Sequence, residues 1–264
     1  MINAAIIGVS GFGRTHYEDI VREYHQKRVN IAGATIINQE EEKDKCDFLK
    51  SIGCRLFTDY NQMLEVLRGK IDICFIPTGI ALHAPMSIAA MRAGANVYVE
   101  KPLAATVQEA AAILEAERET GKFVAVGYQT MYQPETRKIK EYILSGKIGQ
   151  VHTLKTYGLW PRNVEYYQRN AWAGQLKSSN AWVLDSPFNN ALAHYLNLLS
   201  FYAGESFARP AAIAFVQAGL FRAKPIRSVD TAWIKAVTGD AKTLLFYVTH
   251  SCAEQQGPLG SSRK

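Results

Sequence analysis

Apolar and polar positions follow two different rhythms along this 264-residue chain. Up to about residue 122, short continuous apolar runs alternate with longer stretches in which apolar residues recur every three or four positions. The runs 4–8, 29–38, 71–77, 96–99 and 122–128 read as strands, and the continuous ones suit strands buried on both faces. Between them, 14–26, 40–51, 59–68, 82–92 and 110–119 carry helical periodicity. Gly69, Gly94 and Gly121 stop three of these helices, and Thr106-Val107-Gln108-Glu109 forms a capping box ahead of the last. This alternation predicts an α/β Rossmann-type domain, a doubly wound parallel sheet, over residues 1–122.

Beyond residue 123 the rhythm changes. Residues 134–145 read as a helix, 151–160 as a half-exposed strand, and the aromatic and polar stretch 161–187 fits no regular element. An apolar helix with a polar stripe spans 190–203. Strand-like runs follow at 211–221, 231–238 and 242–251, the last two joined by a Gly239-Asp240 turn. Residues 123–264 are therefore expected to form an α+β second domain with a largely antiparallel open sheet. The polar stretch 255–264 lacks strand periodicity and reads as a flexible tail.

Composition narrows the function. Apolar residues make up 48% and charged residues 20%, the balance of a soluble globular protein. The formal net charge of +6 is spread among acids, as with Arg137, Lys138 and Lys140 beside Glu141. No basic block tracks a phosphate backbone, so nucleic-acid binding is not expected, whereas an anionic cofactor is. Four cysteines, Cys46, Cys54, Cys74 and Cys252, have neither C-x-x-C pairing nor a metal-ligand rhythm. They point to a reducing cytoplasm and no metal site. No run approaches the ~20 apolar residues of a membrane span, and the start of the chain does not read as a signal peptide.

The candidate chemistry lies where predicted strands end. Gly8-Val9-Ser10-Gly11-Phe12-Gly13 separates the first strand from the first helix. Gly8 suits a tight turn and Gly13 a close helix–strand approach, with Ser10 where a middle glycine is usual. The backbone of Ser10, Gly11, Phe12 and Gly13 would face a pyrophosphate. The second strand ends on Asn38, which can bind a ribose hydroxyl without repelling a 2′-phosphate, so NAD or NADP is expected. Pro77 and Thr78 end another strand, and His83 opens the next helix. The strand at 96–99 stops at Glu100-Lys101-Pro102, because proline cannot donate to a sheet ladder. A partly desolvated lysine there can work as an acid–base group.

Together these residues resemble the Gfo/Idh/MocA oxidoreductases, from residue 1 to about residue 256. The resemblance is carried by Gly8-x-Ser10-x-x-Gly13 with His16, by Pro77-Thr78 followed by His83, and by residues 93–104 around Glu100-Lys101-Pro102. It implies a cofactor site of Gly8, Ser10, Gly11, Phe12, Gly13, Asn38, Pro77, Thr78, His83, Glu100 and Lys101. Lys101 is placed beside the nicotinamide and the reacting hydroxyl, and His194 matches an acid–base histidine. Asn190 and Asn197 stand where aspartates are usual. One helical turn would set Asn190 and His194 on one face, and Asp185 could compensate for the missing carboxylate. Tyr128, Arg169, Trp172, Asn190 and His194 are the expected substrate residues, although Arg169 and Trp172 serve equally well as a packed loop or a subunit contact.

The function expected is hydride transfer between NAD(P) and a hydroxyl carbon of a sugar, polyol or related small molecule. The alternatives are an NAD-using lyase or glycosidase, and a dinucleotide-binding sensor or scaffold without turnover. Against the family, the second-domain sheet is expected to be truncated at its C-terminal end. Pairing into a homo-oligomer, a dimer or tetramer, through that sheet would cover the exposed edge.

Overall fold

The computed structural model describes residues 1–263. They fall into two compact units, the first Met1–Gly127 and the second from Tyr128 onward.

The first unit alternates strand and helix throughout: β1 (Ile2–Ile7), α1 (Gly13–His25), β2 (Val29–Thr35), α2 (Lys43–Ser51), β3 (Arg55–Phe57), α3 (Tyr60–Val66), β4 (Ile73–Ile76), α4 (Ile80–Arg92), β5 (Asn96–Val99), α5 (Val107–Thr120) and β6 (Val124–Val126). The strands form one sheet in the order β3-β2-β1-β4-β5-β6, and every neighbouring pair is parallel. Apolar residues cover both faces. Along β1, Ala4 and Ile6 join one buried cluster while Ala5 and Ile7 join the other. A strand covered on both sides has no reason to alternate, which is why its sequence is continuously apolar. The chain runs outward from β1 through β2 and β3, then from β4 through β5 and β6. The rim between the carboxyl ends of β1 and β4 is therefore the switch point where such sheets take ligands.

The capping box forms as expected: Thr106 Oγ1 accepts from the Glu109 amide at 3.2 Å and Glu109 Oε2 accepts from the Thr106 amide at 3.0 Å. Two features depart from the sequence reading. β3 has three residues, too few to display a period. The unit ends after Gly127 and not at residue 122, because β6 hydrogen-bonds to β5 and completes the parallel sheet.

The second unit opens with a 3-10 turn (Gln129–Tyr132) and continues through α6 (Pro134–Leu144), β7 (Thr153–Leu159), α7 (Val164–Gln168), and the two-residue strands β8 (Lys177–Ser178) and β9 (Ala181–Trp182). A π-helical turn (Pro187–Ala191), α8 (Ala193–Ala203), β10 (Ile213–Phe221), β11 (Thr231–Thr238), β12 (Thr243–Thr249) and β13 (Gln256–Arg263) complete it. Its main sheet runs β10-β11-β12-β7-β13. All neighbours are antiparallel except β12 with β7. α8 lays Leu199 and Ala203 onto Leu154, Ala232, Leu244, Phe246 and Val248. Lys140 of α6 is wholly buried, and its ammonium donates to the carbonyls of Tyr202 (3.2 Å) and Gly204 at the end of α8. There it meets the negative end of the helix dipole.

Two expectations are corrected in this unit. The stretch beginning at 255 is no free tail, since β13 pairs along β7 from Gln256 opposite Leu159 to Arg263 opposite Thr153. Its ladder is made by backbone groups, and an edge strand of Gly, Ser and Pro carries no apolar alternation to reveal it. The helix expected at 190–203 is also broken. Leu192 N–H donates to Pro187 O at 2.7 Å, five residues back, and the α-helix begins only at Ala193. Asn190 and His194 therefore belong to different elements.

Candidate functional site in two parts

In the first unit the rim is shaped by two glycines. Gly8 adopts φ +92°, open to glycine at little cost. A Cβ on Gly13 would lie 2.7 Å from Gly8 O and 3.4 Å from Pro77 Cγ, so only glycine lets α1 start this close to β1 and β4. Phe12, at the N-cap of α1, offers no side-chain cap. The positive end of the helix dipole and its first amides are thus presented at the rim, as an anion site requires. These features fit a dinucleotide pyrophosphate. Ser10 and Gly11 lie exposed on the turn, and Phe12 is 56% exposed.

Asn38 lies beside this turn as expected. Its Nδ2 donates to Ser10 Oγ at 3.1 Å and to Glu41 Oε2 at 2.9 Å. Next to Glu41, Glu42 forms an ion pair with Lys45, whose Nζ also donates to Val9 O at 2.7 Å. Hydrogen bonds from Lys45 and then Ser10 hold the Glu42 carboxyl below its ordinary range. Sequence reading stopped at Asn38 and missed these acids. β2 ends at Thr35, so Asn38 lies in the loop beyond it, and the signal available was an acidic pair three and four residues after that amide.

Pro77 and Thr78 follow β4 at the same rim, and His83 is buried behind them. It is 1% exposed; Nδ1 lies 2.7 Å from Pro102 O and Nε2 3.0 Å from Thr78 O. Burial, outweighing these carbonyls, pushes its pKa below the ordinary histidine value. His83 thus packs between the loop after β4 and the loop after β5, its one N–H donating to one of the two carbonyls. Glu100 also supports the rim from within: it is 8% exposed, with Oε1 2.9 Å from His16 Nε2 and Oε2 accepting from the Lys101 amide at 3.2 Å. A Cβ on Gly127, just after β6, would come within 2.8 Å of Glu100 Oε1, so a larger residue there would push the carboxylate aside. Lys101 follows directly, half-buried at the carboxyl end of β5, with a cis peptide bond to Pro102.

In the second unit, Tyr128 meets His194 edge-on, with ring centroids 5.8 Å apart and planes at 90°. Asn190 donates from Nδ2 to Asp185 Oδ1 at 2.9 Å, and Asp185 Oδ2 accepts from Gly174 N–H at 2.7 Å. Asp185 is 4% exposed, a buried carboxylate. Arg169 and Trp172 come together, but with each other. The guanidinium lies 3.6 Å from the Tyr166 ring centroid and 5.1 Å from that of Trp172, a cation held between two aromatic faces. Asn197 points its Nδ2 toward Met131 Sδ at 3.8 Å. Among the described residues, no group of three His, Cys, Asp or Glu is placed to hold a metal ion, and no helix is long and apolar enough to cross a membrane.

Comparison with known proteins agrees with this arrangement. Residues 2–128 match the GFO_IDH_MocA family, described as an oxidoreductase family with an NAD-binding Rossmann fold. An inositol 2-dehydrogenase of Azotobacter vinelandii is 27% identical over 207 residues, covering 78% of this chain and 55% of that protein. The chain spans about half the length of this relative. Two solved structures share the fold. The WlbA dehydrogenase of Chromobacterium violaceum, in complex with NADH and UDP-GlcNAcA, gives a TM-score of 0.81 at 22% identity, covering 96% of this chain and 68% of that one. The myo-inositol 2-dehydrogenase of Lactobacillus plantarum gives 0.73 at 20% identity, covering 97% and 72%. Residues 2–128, with their glycine turn, Glu100-Lys101-Pro102 after β5 and six parallel strands, match the oxidoreductase family with an NAD-binding Rossmann fold.

Proposed function

We propose that the protein is an NAD-dependent oxidoreductase acting on the hydroxyl-bearing carbon of a sugar, polyol or related small molecule. One observation carries the reading: Lys101 leaves β5 at the rim where the Gly8–Gly13 turn leaves β1 and Pro77-Thr78 leaves β4. A bound nicotinamide dinucleotide supplies the hydride acceptor. The chain supplies the rest. Lys101 Nζ holds the substrate hydroxyl and relays its proton, while His194 serves as the second acid–base group. Glu100, His16 and His83 keep the lysine-bearing loop in place. The similarity to an inositol 2-dehydrogenase supports a polyhydroxylated substrate.

NAD is the cofactor favoured over NADP. Glu41 accepts from Asn38 at the position that takes the adenosine ribose, and Glu42 lies next to it. A carboxylate there can accept from a 2′-hydroxyl and repels a 2′-phosphate. Lys45, a cation beside these acids, is engaged by Glu42 and Val9 O. The open sheet of the second unit is the surface by which copies of the chain would associate. Phe215, Val216, Leu220 and Phe221 of β10 are each more than half exposed, which supports this.

The test is binding followed by turnover. Kd values for NADH and NADPH are measured by fluorescence, and NAD+ reduction is followed at 340 nm with polyols, sugars and sugar nucleotides. Tight NADH binding with turnover on a polyhydroxylated substrate is expected. Absence of dinucleotide binding would contradict the reading.

A further inference from the structure

Between residues 160 and 172 the second unit stacks arginine and aromatic side chains in turn. The Arg162 guanidinium carbon lies 5.4 Å from the Trp160 ring centroid and 4.7 Å from that of Tyr166. That of Arg169 lies 3.6 Å from Tyr166 and 5.1 Å from Trp172. Two cations thus share the Tyr166 ring, and among the described residues neither forms an ion pair. Like charges held so close repel each other. Asp230, just before β11, does not neutralise them. Its Oδ2 accepts from the Ala223 and Lys224 amides at 2.9 and 2.7 Å, and its Oδ1 from the Thr231 hydroxyl at 3.0 Å.

Stacking occupies the faces of a guanidinium and leaves its edge, where five N–H donors lie in one plane. Arg162 makes one long contact with that edge, Nη1 to Pro161 O at 3.4 Å, and Arg169 Nη1 donates to Tyr166 O. Arg162 Nε is buried without a hydrogen-bond partner, and so is Ser251 Oγ beside Cys252. Leaving a buried polar atom unpaired is costly, so each marks a place where a partner comes from outside the chain.

Arg162 and Tyr166 line an open cleft of about 490 Å³, together with Pro161, Asn163 and Cys252. Asn163 Oδ1 accepts from the Tyr166 amide at 3.0 Å, which leaves the NH2 end of that side chain for a ligand. The lining therefore offers donors and a cation, and no carboxylate. Its backbone is fixed to the sheet. The Trp160 and Arg162 amides donate to the Thr249 and His250 carbonyls at 2.9 and 3.2 Å, and Trp160 Nε1 to Gly257 O at 3.1 Å.

We propose that Arg162 and Asn163, with Arg169 as the second cation, form a binding site for a phosphate group, free or carried on a small molecule. A guanidinium fork matches two phosphate oxygens, and a dianion beside two fixed cations relieves their repulsion. A carboxylate brings a single charge and relieves less of it. The site belongs to the second unit alone. It goes beyond the reading of the protein as an oxidoreductase and stands or falls separately from it.

Calorimetric titration with inorganic phosphate, glucose 6-phosphate and acetate tests the site at about pH 7.5, where phosphate is largely dianionic. Phosphate should bind with a Kd below about 1 mM at low salt, weakening as salt is added, and acetate should bind at least about tenfold more weakly. Arg162→Gln should weaken phosphate binding about tenfold or more, the scale of a charge-assisted bond, and Arg169→Gln about threefold or more. Arg118→Gln removes the same charge from the exposed face of α5 and should stay within about twofold of wild type. Glucose 6-phosphate binding tighter than inorganic phosphate assigns the site to an ester, and equal binding assigns it to the free ion. Absence of phosphate binding, acetate binding as tightly, or an equal loss in Arg118→Gln overturns the proposal. Displacement of phosphate by NADH also overturns it, since that places the ion at the glycine turn.

Should the arginine variants not fold, the wild type serves. Cys252 lines the cleft and is half-buried, whereas Cys46, Cys54 and Cys74 are buried. An anion bound beside Cys252 disfavours its thiolate. Saturating phosphate should slow alkylation of Cys252 by iodoacetamide about threefold or more, read by mass spectrometry, against sodium chloride at the same ionic strength. Unchanged Cys252 reactivity overturns the proposal.

Discussion

His16 Nε2 and Glu100 Oε1 lie 2.9 Å apart inside the first unit, joining the first turns of α1 to the end of β5 across a sequence separation of 84 residues. Both residues are nearly sealed from solvent, at 7% and 8% exposed. His16 also packs at a tilt against Tyr98, with ring centroids 5.4 Å apart, and the other Glu100 oxygen accepts from the Lys101 amide. One carboxylate therefore fixes both the glycine-turn helix and the lysine-bearing loop.

Glu100→Ala should therefore destabilise the protein by about 1–3 kcal/mol, the cost of leaving a buried polar partner unsatisfied. It should also weaken NADH binding, because α1 and the loop after β5 lose their common anchor. Urea denaturation and NADH titration check this. A loss below about 0.5 kcal/mol, the range of an ordinary surface substitution, contradicts the anchoring role.

Cofactor choice should lie with Glu41 more than with Asn38. Wild type should prefer NADH over NADPH by more than about tenfold, a difference of roughly 1.4 kcal/mol. Glu41→Gln should reduce the preference by several-fold, since the amide keeps a partner for Asn38 but no longer repels phosphate. Paired Kd measurements decide it, and an unchanged ratio in Glu41→Gln assigns discrimination to another residue.

Acid should weaken the second unit through His250. Burial, against the pull of the Trp160 carbonyl 2.7 Å from Nδ1, brings its pKa down to about 4. In the unfolded chain the ring protonates near pH 6.5, while in the folded state it stays neutral to about pH 4. Its contribution is fully present above pH 6.5 and is lost as pH falls from there toward 4, by about 3 kcal/mol in total. His250→Gln removes the titration. Denaturation between pH 7 and 4 should therefore show a shallower fall in stability for this variant than for wild type, and equal slopes contradict the assignment.

Association through the open sheet should depend on its apolar exposure. Phe215 is 54% exposed on β10. Phe215→Asp should shift light-scattering mass from an oligomer toward the single chain. A wild type that already scatters as a single chain contradicts association through this sheet.

The sequence made much of the first unit legible because strands covered on both faces are written as apolar runs, and because Gly8, Gly13 and Pro102 have local steric reasons to be where they are. It was silent where structure comes from the backbone alone. β13 is an edge strand of Gln, Gly, Pro, Leu and Ser, and nothing in its side chains marks the ladder it forms with β7. The π-helical turn before His194 inserts one residue into a helical period, a change too small for the pattern around residues 187–203 to register. The site residues divided in the same way. Positions in the loops just beyond strand ends, such as Lys101 and Asn38, could be read from the chain, whereas the partners that orient them could not. Glu100 with His16, Glu41 with Asn38 and Asp185 with Asn190 are separated by 84, 3 and 5 positions, and only folding makes them pairs. Arg169 and Trp172 show the converse, since residue types suited to gripping a sugar are here largely engaged with Tyr166 and each other.

The central claim, that Lys101 handles the substrate hydroxyl in an NAD-dependent oxidation, is tested most directly by one comparison. NAD+ reduction at 340 nm is measured for wild type and Lys101→Ala on the best substrate of the screen, with NADH Kd determined for both. The account predicts that Lys101→Ala binds NADH within about threefold of wild type and turns over roughly 100-fold more slowly, the scale of losing an acid–base group. Turnover within a few-fold of wild type would contradict it.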